Sequence, residues 1–225
     1  MSAKPVTIPV ESGETVSGLL LEPPKPLACL VLAHGAGAGM KHPFMANVAE
    51  GLSGRRVATL RYQFPYMERG GKRPDPPKLA HATVRAAVAA AAKQFPKLPL
   101  IAGGKSFGGR MTSQAQALAP LPGVRGLAFF GFPLHPAKQP SQERGRHLAD
   151  VKVPMLFLQG TRDALAMLDQ IEPVCAALGA RATLKLFADA DHSFHVPARS
   201  GRRDADVMRE MLDAFALWLD ERLAS

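Results

Sequence analysis

Apolar residues in this chain gather into short unbroken runs, separated by longer stretches in which they recur every three or four positions. The run Leu27-Ala-Cys-Leu-Val-Leu-Ala33 lies between Pro26 and His34-Gly35 and never alternates with polar residues. Such a run suits a parallel strand covered on both faces, where neither side of the pleat meets water. Pro43 then opens a segment in which Phe44, Val48 and Leu52 recur at helical spacing until Gly54. Proline at the start and glycine past the end are what a helix prefers. The cycle repeats. Val57–Tyr62, Pro99–Ala102, Val124–Phe130, Val153–Gln159 and Ala182–Phe187 read as strands. Helices are expected around Val84, Ala87, Val88 and Ala91, through Met111, Ala115 and Leu118, over Leu165–Leu178, and along Val207, Met211, Phe215 and Leu219.

Two N-terminal segments differ. Pro5–Val10 and Thr15–Glu22 alternate loosely about Ser12-Gly13, a hairpin signal. Together the elements predict one α/β domain over residues 1–225. Its sheet is mostly parallel, with about eight strands, helices on both faces and right-handed crossovers. Ligands of such open sheets bind beyond the carboxyl ends of the strands, so the chemistry is sought in the loops that leave them.

Composition narrows the class. With 47% apolar and 21% charged residues, the chain can bury a sizeable core and is not disordered. Cys29 and Cys175 stand alone in apolar segments and read as buried free thiols, not as a disulfide framework or metal site. Met1–Val10 lacks the apolar run of a secretory signal, and no apolar stretch reaches the roughly 18 residues of a membrane span. A cytoplasmic protein with no membrane association is therefore expected.

Lys and Arg number 28 against 19 Asp and Glu, a formal charge of +9. The excess concentrates in Arg55–Lys78, with a second cluster at Arg199, Arg202 and Arg203. No nucleic-acid-binding motif accompanies it, so nucleic acid is not the expected partner and a solvated basic surface is the plain reading. The functional alternatives are an anionic substrate or an acidic partner.

The chemistry begins at Gly104-Lys105-Ser106-Phe107-Gly108, a G-x-S-x-G pattern between an apolar strand and a helix. A serine on so sharp a turn adopts strained backbone angles that expose its hydroxyl, and side chains two residues away on either side would collide. A phosphate-binding P-loop is disfavoured because it needs glycine where Pro99 stands. A merely structural glycine-rich turn stays open until partners for Ser106 are found.

A serine nucleophile needs a base, usually histidine, and a carboxylate to orient it. Asp163 follows the strand ending near Gln159, and His192 follows the strand ending at Phe187. Alone, Asp163 also reads as the cap of a helix starting near Ala164. His192 and His195, with Asp189 and Asp191, also read as metal ligands, although no third ligand group stands out elsewhere. Jointly, Ser106, Asp163 and His192 fall after strands in the required chain order. His192 is preferred over His195 because it lies nearer the strand end. Backbone N–H donors for an oxyanion are expected from Ala36, with Gly37 close behind, in His34-Gly35-Ala36-Gly37-Ala38-Gly39, and from Phe107. That loop lacks the spacing of a dinucleotide fingerprint. No cofactor and no metal are expected. Lys105 and Arg162, beside Ser106 and Asp163, are candidate cations for drawing in anionic substrate, unless Lys105 points away from the pocket.

Four segments carry a resemblance to a known family: His34-Gly35-Ala36-Gly37-Ala38-Gly39-Met40, Gly104-Lys105-Ser106-Phe107-Gly108-Gly109, Gln159-Gly160-Thr161-Arg162-Asp163 and Asp191-His192-Ser193-Phe194. Through them the chain resembles the α/β-hydrolase superfamily over nearly its whole length, in particular the small, lid-less, dienelactone-hydrolase-like branch of serine hydrolases. The resemblance implies Ser106, Asp163 and His192 as a triad. Dienelactone hydrolases proper have cysteine where this chain has Ser106, so lactone chemistry is not implied. Gly131–Lys152, where many relatives insert a lid, is short, polar and interrupted by proline. The expected activity is hydrolysis of an ester or thioester at an open site. The alternative is a non-catalytic scaffold of the same fold that holds an acidic partner on its basic face.

Overall fold

The computed structural model describes residues 2–223; Met1, Ala224 and Ser225, which the expected domain includes, lie outside the described residues. β1 (Lys4–Pro9) and β2 (Thr15–Leu21) form the antiparallel hairpin, in register from Lys4 opposite Leu20 to Pro9 opposite Thr15. β3 (Ala28–Ala33), β4 (Val57–Tyr62), β5 (Leu100–Lys105), β6 (Val124–Phe130), β7 (Met155–Gly160) and β8 (Ala182–Phe187) complete an eight-stranded sheet. Its order is β1-β2-β4-β3-β5-β6-β7-β8, and every pairing from β4 onward along it is parallel. This is the mostly parallel α/β sheet that the alternation of runs and periodic segments predicts.

The helices divide between the two faces. α1 (Pro43–Ser53) and α6 (Asp204–Leu223) cover one side, and α3 (Pro77–Gln94), α4 (Phe107–Leu118) and α5 (Leu168–Leu178) the other. Successive β3 residues alternate between the two cores: Cys29, Val31 and Ala33 pack with the α3–α5 layer, and Ala28, Leu30 and Leu32 with the α1–α6 layer. A strand buried on both faces leaves no position for a polar residue, hence the unbroken apolar run. Cys29 and Cys175 are free and buried, and desolvation pushes both thiols up to about 12. Among the described residues, no helix is long and apolar enough to cross a membrane.

Beyond shifts of one or two residues at strand ends, two boundaries and one loop differ from the sequence expectation. The strand expected to end at Ala102 continues to Lys105, because its pairing with β6 persists to Lys105 opposite Phe130. The polar stretch after β4 contains a one-turn helix, α2 (Pro65–Glu68), opened by Pro65. α5 begins at Leu168, later than Leu165, because the preceding residues are held in a turn around Asp163. The lid position, residues 131–152, holds a 3₁₀ segment at Glu143–Asp150 packed on α4, and no separate cap domain is present among the described residues.

The aromatic centre of the α3–α5 core generates a stability prediction. The Phe129 ring lies 4.9 Å from Phe157 and 5.1 Å from Phe132, fully out of solvent. Phe129→Ala is expected to cost about 3–5 kcal/mol in urea unfolding through lost burial and the cavity left behind. Leu118→Ala, at a side chain 73% exposed, is expected to stay within roughly 0.5 kcal/mol.

Candidate active site

The turn from β5 into α4 is one residue long, and that residue is Ser106. Its φ of +50° and ψ of −117° lie where residues with a Cβ are seldom found. The turn closes only because its neighbours have no side chains. A Cβ on Gly104 would stand 2.5 Å from the Ala33 carbonyl oxygen, and one on Gly108 would stand 2.5 Å from that of His34. Both distances are far inside contact. The G-x-S-x-G spacing is thus the condition for β5 and α4 to lie against the end of β3.

From this turn the Ser106 hydroxyl meets His192. Ser106 Oγ and His192 Nε2 are 2.8 Å apart, and His192 Nδ1 is 2.7 Å from Asp163 Oδ2. Nδ1–H donating to the carboxylate leaves Nε2 as acceptor for the serine O–H. Asp163 is 1% exposed, whereas the His192 side chain is 22% exposed. Gln159, at the end of β7, donates its amide to Asp163 Oδ2 and accepts the Phe132 N–H through its carbonyl. The other carboxylate oxygen, Oδ1, accepts the Leu165 N–H at 2.8 Å. Asp163 therefore shapes a turn and sits five residues before α5, so the helix-cap reading does not hold.

His195 lies elsewhere. It is exposed and paired with Asp204 at 2.9 Å, and that carboxylate raises its pKa. Asp191 Oδ1 accepts the backbone N–H groups of Ser193 and His195, fixing the tight bend that carries His192.

Among the backbone N–H groups without a hydrogen-bond partner within the described residues are those of Ala36, in the loop after β3, and Phe107, the first residue of α4. The neighbouring Gly37 N–H is taken by the Tyr66 hydroxyl at 3.1 Å, which separates the two candidates in that loop. His34 is fully buried beneath the loop, with Nδ1 on the Gly35 carbonyl at 2.8 Å and Nε2 accepting the Phe64 N–H at 3.1 Å. Desolvation pulls its pKa down to about 4, so it stays neutral and rigid as both donor and acceptor. Gln63 Oε1 accepts the Met40 N–H at the loop's far end.

The basic run Arg55–Lys78 disperses. Arg55 pairs with Asp213, Arg69 bridges Glu14 and Asp75, and Arg61 is buried against the Met40 carbonyl. Lys72, Arg73 and Lys78 remain exposed. Arg162 is exposed too, but Lys105 turns its ammonium onto the His192 backbone carbonyl.

A family model described as an alpha/beta hydrolase domain matches residues 26–220, which span the sheet from just before β3 and every residue of this site. The chain belongs to the α/β hydrolases. The α/β-hydrolase fold is also found in solved structures similar to it end to end. A dienelactone hydrolase from Anabaena variabilis has 21% identity and a TM-score of 0.78, with 97% of each chain covered. A serine hydrolase without lid from Xanthomonas campestris has 18% identity and a TM-score of 0.76, covering 97% of this chain and 95% of that one. The esterase domain of a Rhodothermus marinus protein has 17% identity and a TM-score of 0.72, covering 97% and 98%.

Sequence reasoning named Ser106, Asp163 and His192 but gave no role to Gln159, His34, Tyr66 or Gln63. Gln159 carried a signal, as a polar side chain closing an otherwise apolar strand. Tyr66 and Gln63 carried none, because their targets are backbone N–H groups of a loop remote in sequence.

The geometry separates the two histidines of the loop. His192→Ala is expected to reduce kcat by several orders of magnitude, whereas His195→Ala is expected to retain most of it. Steady-state rates of the two single variants on one 4-nitrophenyl ester check this, and the reverse order contradicts it.

Proposed function

We propose that this α/β hydrolase is a serine esterase or thioesterase that works through an acyl-enzyme on Ser106. The unbroken hydrogen-bonded line from Ser106 through His192 to Asp163 carries the reading. Serine is a poor nucleophile near neutral pH unless a base takes its proton as it attacks. In this reading His192 Nε2 accepts the proton while Oγ bonds to the substrate carbonyl carbon. The carbonyl oxygen becomes an oxyanion and receives the Ala36 and Phe107 N–H groups. Collapse of the tetrahedral adduct breaks the ester or thioester bond, and His192 returns the proton to the departing alcohol or thiol. Water, deprotonated by the same imidazole, then releases the carboxylic acid and frees Ser106. Asp163 holds the tautomer and offsets the charge of the imidazolium, and Gln159 keeps that carboxylate aimed. The absence of a cap domain among the described residues suits short or polar acyl groups better than long chains that need to be covered.

Loss of the hydroxyl tests this directly. Wild type is expected to be labelled by a fluorophosphonate, and Ser106→Ala to be unlabelled, with turnover lower by on the order of 10⁶. Full labelling of the variant contradicts the assignment. An unreactive wild type points instead to a scaffold that binds an acidic partner.

The proposed substrate carries a negative charge, and Arg110 is its recognition residue. One turn into α4, the Arg110 guanidinium lies over the Phe107 ring at 5.9 Å, half-buried, with its Nε unpartnered. No carboxylate pairs with it among the described residues, and both burial and the neighbouring Arg144 lower its pKa. A partly desolvated cation beside a second positive charge is an arrangement that an incoming anion relieves. Arg110→Gln is expected to lower kcat/KM for 4-nitrophenyl hemiglutarate about tenfold, the loss of one charge-assisted hydrogen bond. The neutral valerate ester is expected to change little. Equal losses on the two esters contradict the charge reading.

A further inference from the structure

Lys105 precedes Ser106 in the chain, yet its side chain leads to the other end of the site. The ammonium donates to the backbone carbonyl of His192 and lies over two phenylalanine rings, 5.7 Å from the centroid of Phe44 and 5.3 Å from that of Phe194. The two rings stack on each other at 5.9 Å, one from α1 and the other from the loop after β8. We propose that Lys105 is the positioning residue for His192, a latch from the strand that bears the nucleophile to the loop that bears the base. The proposal rests on Ser106 and His192 acting as nucleophile and base.

Three observations support it. First, β5 ends in Lys105, so one rigid element fixes both Ser106 and the donor that holds His192. The bond therefore sets the separation of the two loops. Second, the space between them is kept clear by Gly131, whose φ is +73°. A Cβ there would stand 2.9 Å from Lys105 Nζ and 3.3 Å from the His192 carbonyl oxygen, so a side chain at 131 would crowd the two partners of the latch. Third, Lys105 has no carboxylate within ion-pair distance among the described residues. An unpaired ammonium in such a place is costly, and a methionine would fill the same volume without that cost. The charge and the donor are what the position uses: a charge-assisted bond to a carbonyl, reinforced by two ring faces.

The ionisable groups facing Lys105 are His192, Asp163 and Asp191. Burial lowers the lysine pKa to about 8, and the charges of Asp163 and Asp191 oppose that fall. The ammonium form is therefore present near neutral pH and lost as pH rises through about 8. With it go the charge-assisted bond and the attraction to the rings.

The test compares wild type with Lys105→Gln, which keeps a donor without charge, and Lys105→Met, which keeps neither, with Ser106→Ala as control. The probe is 4-nitrophenyl acetate. At neutral pH the methionine variant is expected to lose on the order of 10–100-fold in kcat with little change in KM, and the glutamine variant to recover part of it. Wild type is expected to decline toward the glutamine variant above about pH 8, where the glutamine variant itself stays level. A downfield proton NMR signal from the His192–Asp163 hydrogen bond is expected in wild type and Lys105→Gln and is expected to vanish in Lys105→Met. If Lys105→Met fails to fold by circular dichroism, the glutamine variant and the wild-type pH profile decide. Wild-type kcat and an unchanged alkaline profile in the lysine variants, with Ser106→Ala inactive, overturn the latch. Retained turnover in Ser106→Ala overturns the nucleophile reading beneath it.

Discussion

Ser106 keeps its positive φ because α4 is pressed against the end of β3 so closely that neither Gly104 nor Gly108 has room for a Cβ. That contact is possible only where β3 and β5 are neighbours, in register from Cys29 opposite Leu100 to Ala33 opposite Gly104. The same adjacency brings the Ala36 loop beside the Phe107 N–H, since one leaves β3 and the other begins the helix after β5. Strain at one residue is sustained by the packing of the whole sheet.

The rest of the site hangs from the parallel strands to one side of that turn. β6 leads into Gly131, β7 contributes Gln159 and leads to Asp163, and β8 leads to His192. Parallel pairing ends these strands at one edge, so residues far apart in the chain meet without a long connection. Polar atoms buried there are paired in sequence: Phe132 N–H to Gln159, Gln159 to Asp163, Asp163 to His192, His192 to Ser106. Such a network orients each member through the next.

The sheet was legible because both its faces are buried, which writes each inner strand as an apolar run. The candidate nucleophile and carboxylate were legible because each stands just past such a run, and the base because it lies in the loop that follows the edge strand β8. What escaped was set by the third dimension. Tyr66 occupies the Gly37 N–H from a helical turn inside a stretch that reads as loop. The seven basic residues of 55–78 look like one patch in the sequence, but folding sends Arg55, Arg61 and Arg69 to separate partners. Lys105 reads as a cation at the mouth of the site; in the structure it reaches the His192 carbonyl on a neighbouring loop. Chain order reveals which strand end a residue occupies. It does not reveal the direction in which a long side chain leaves it.

In the proposed mechanism Ser106 attacks a carbonyl carbon while Ala36 and Phe107 receive the resulting oxyanion. A crystal structure of the protein after reaction with a small fluorophosphonate tests it most directly, because the bound phosphonyl group mimics the tetrahedral adduct. Phosphorus is expected to be bonded to Ser106 Oγ, with its oxygen between the Ala36 and Phe107 N–H groups and His192 still hydrogen-bonded to Asp163. Phosphorus on another residue, or an oxygen turned away from those two N–H groups, contradicts it.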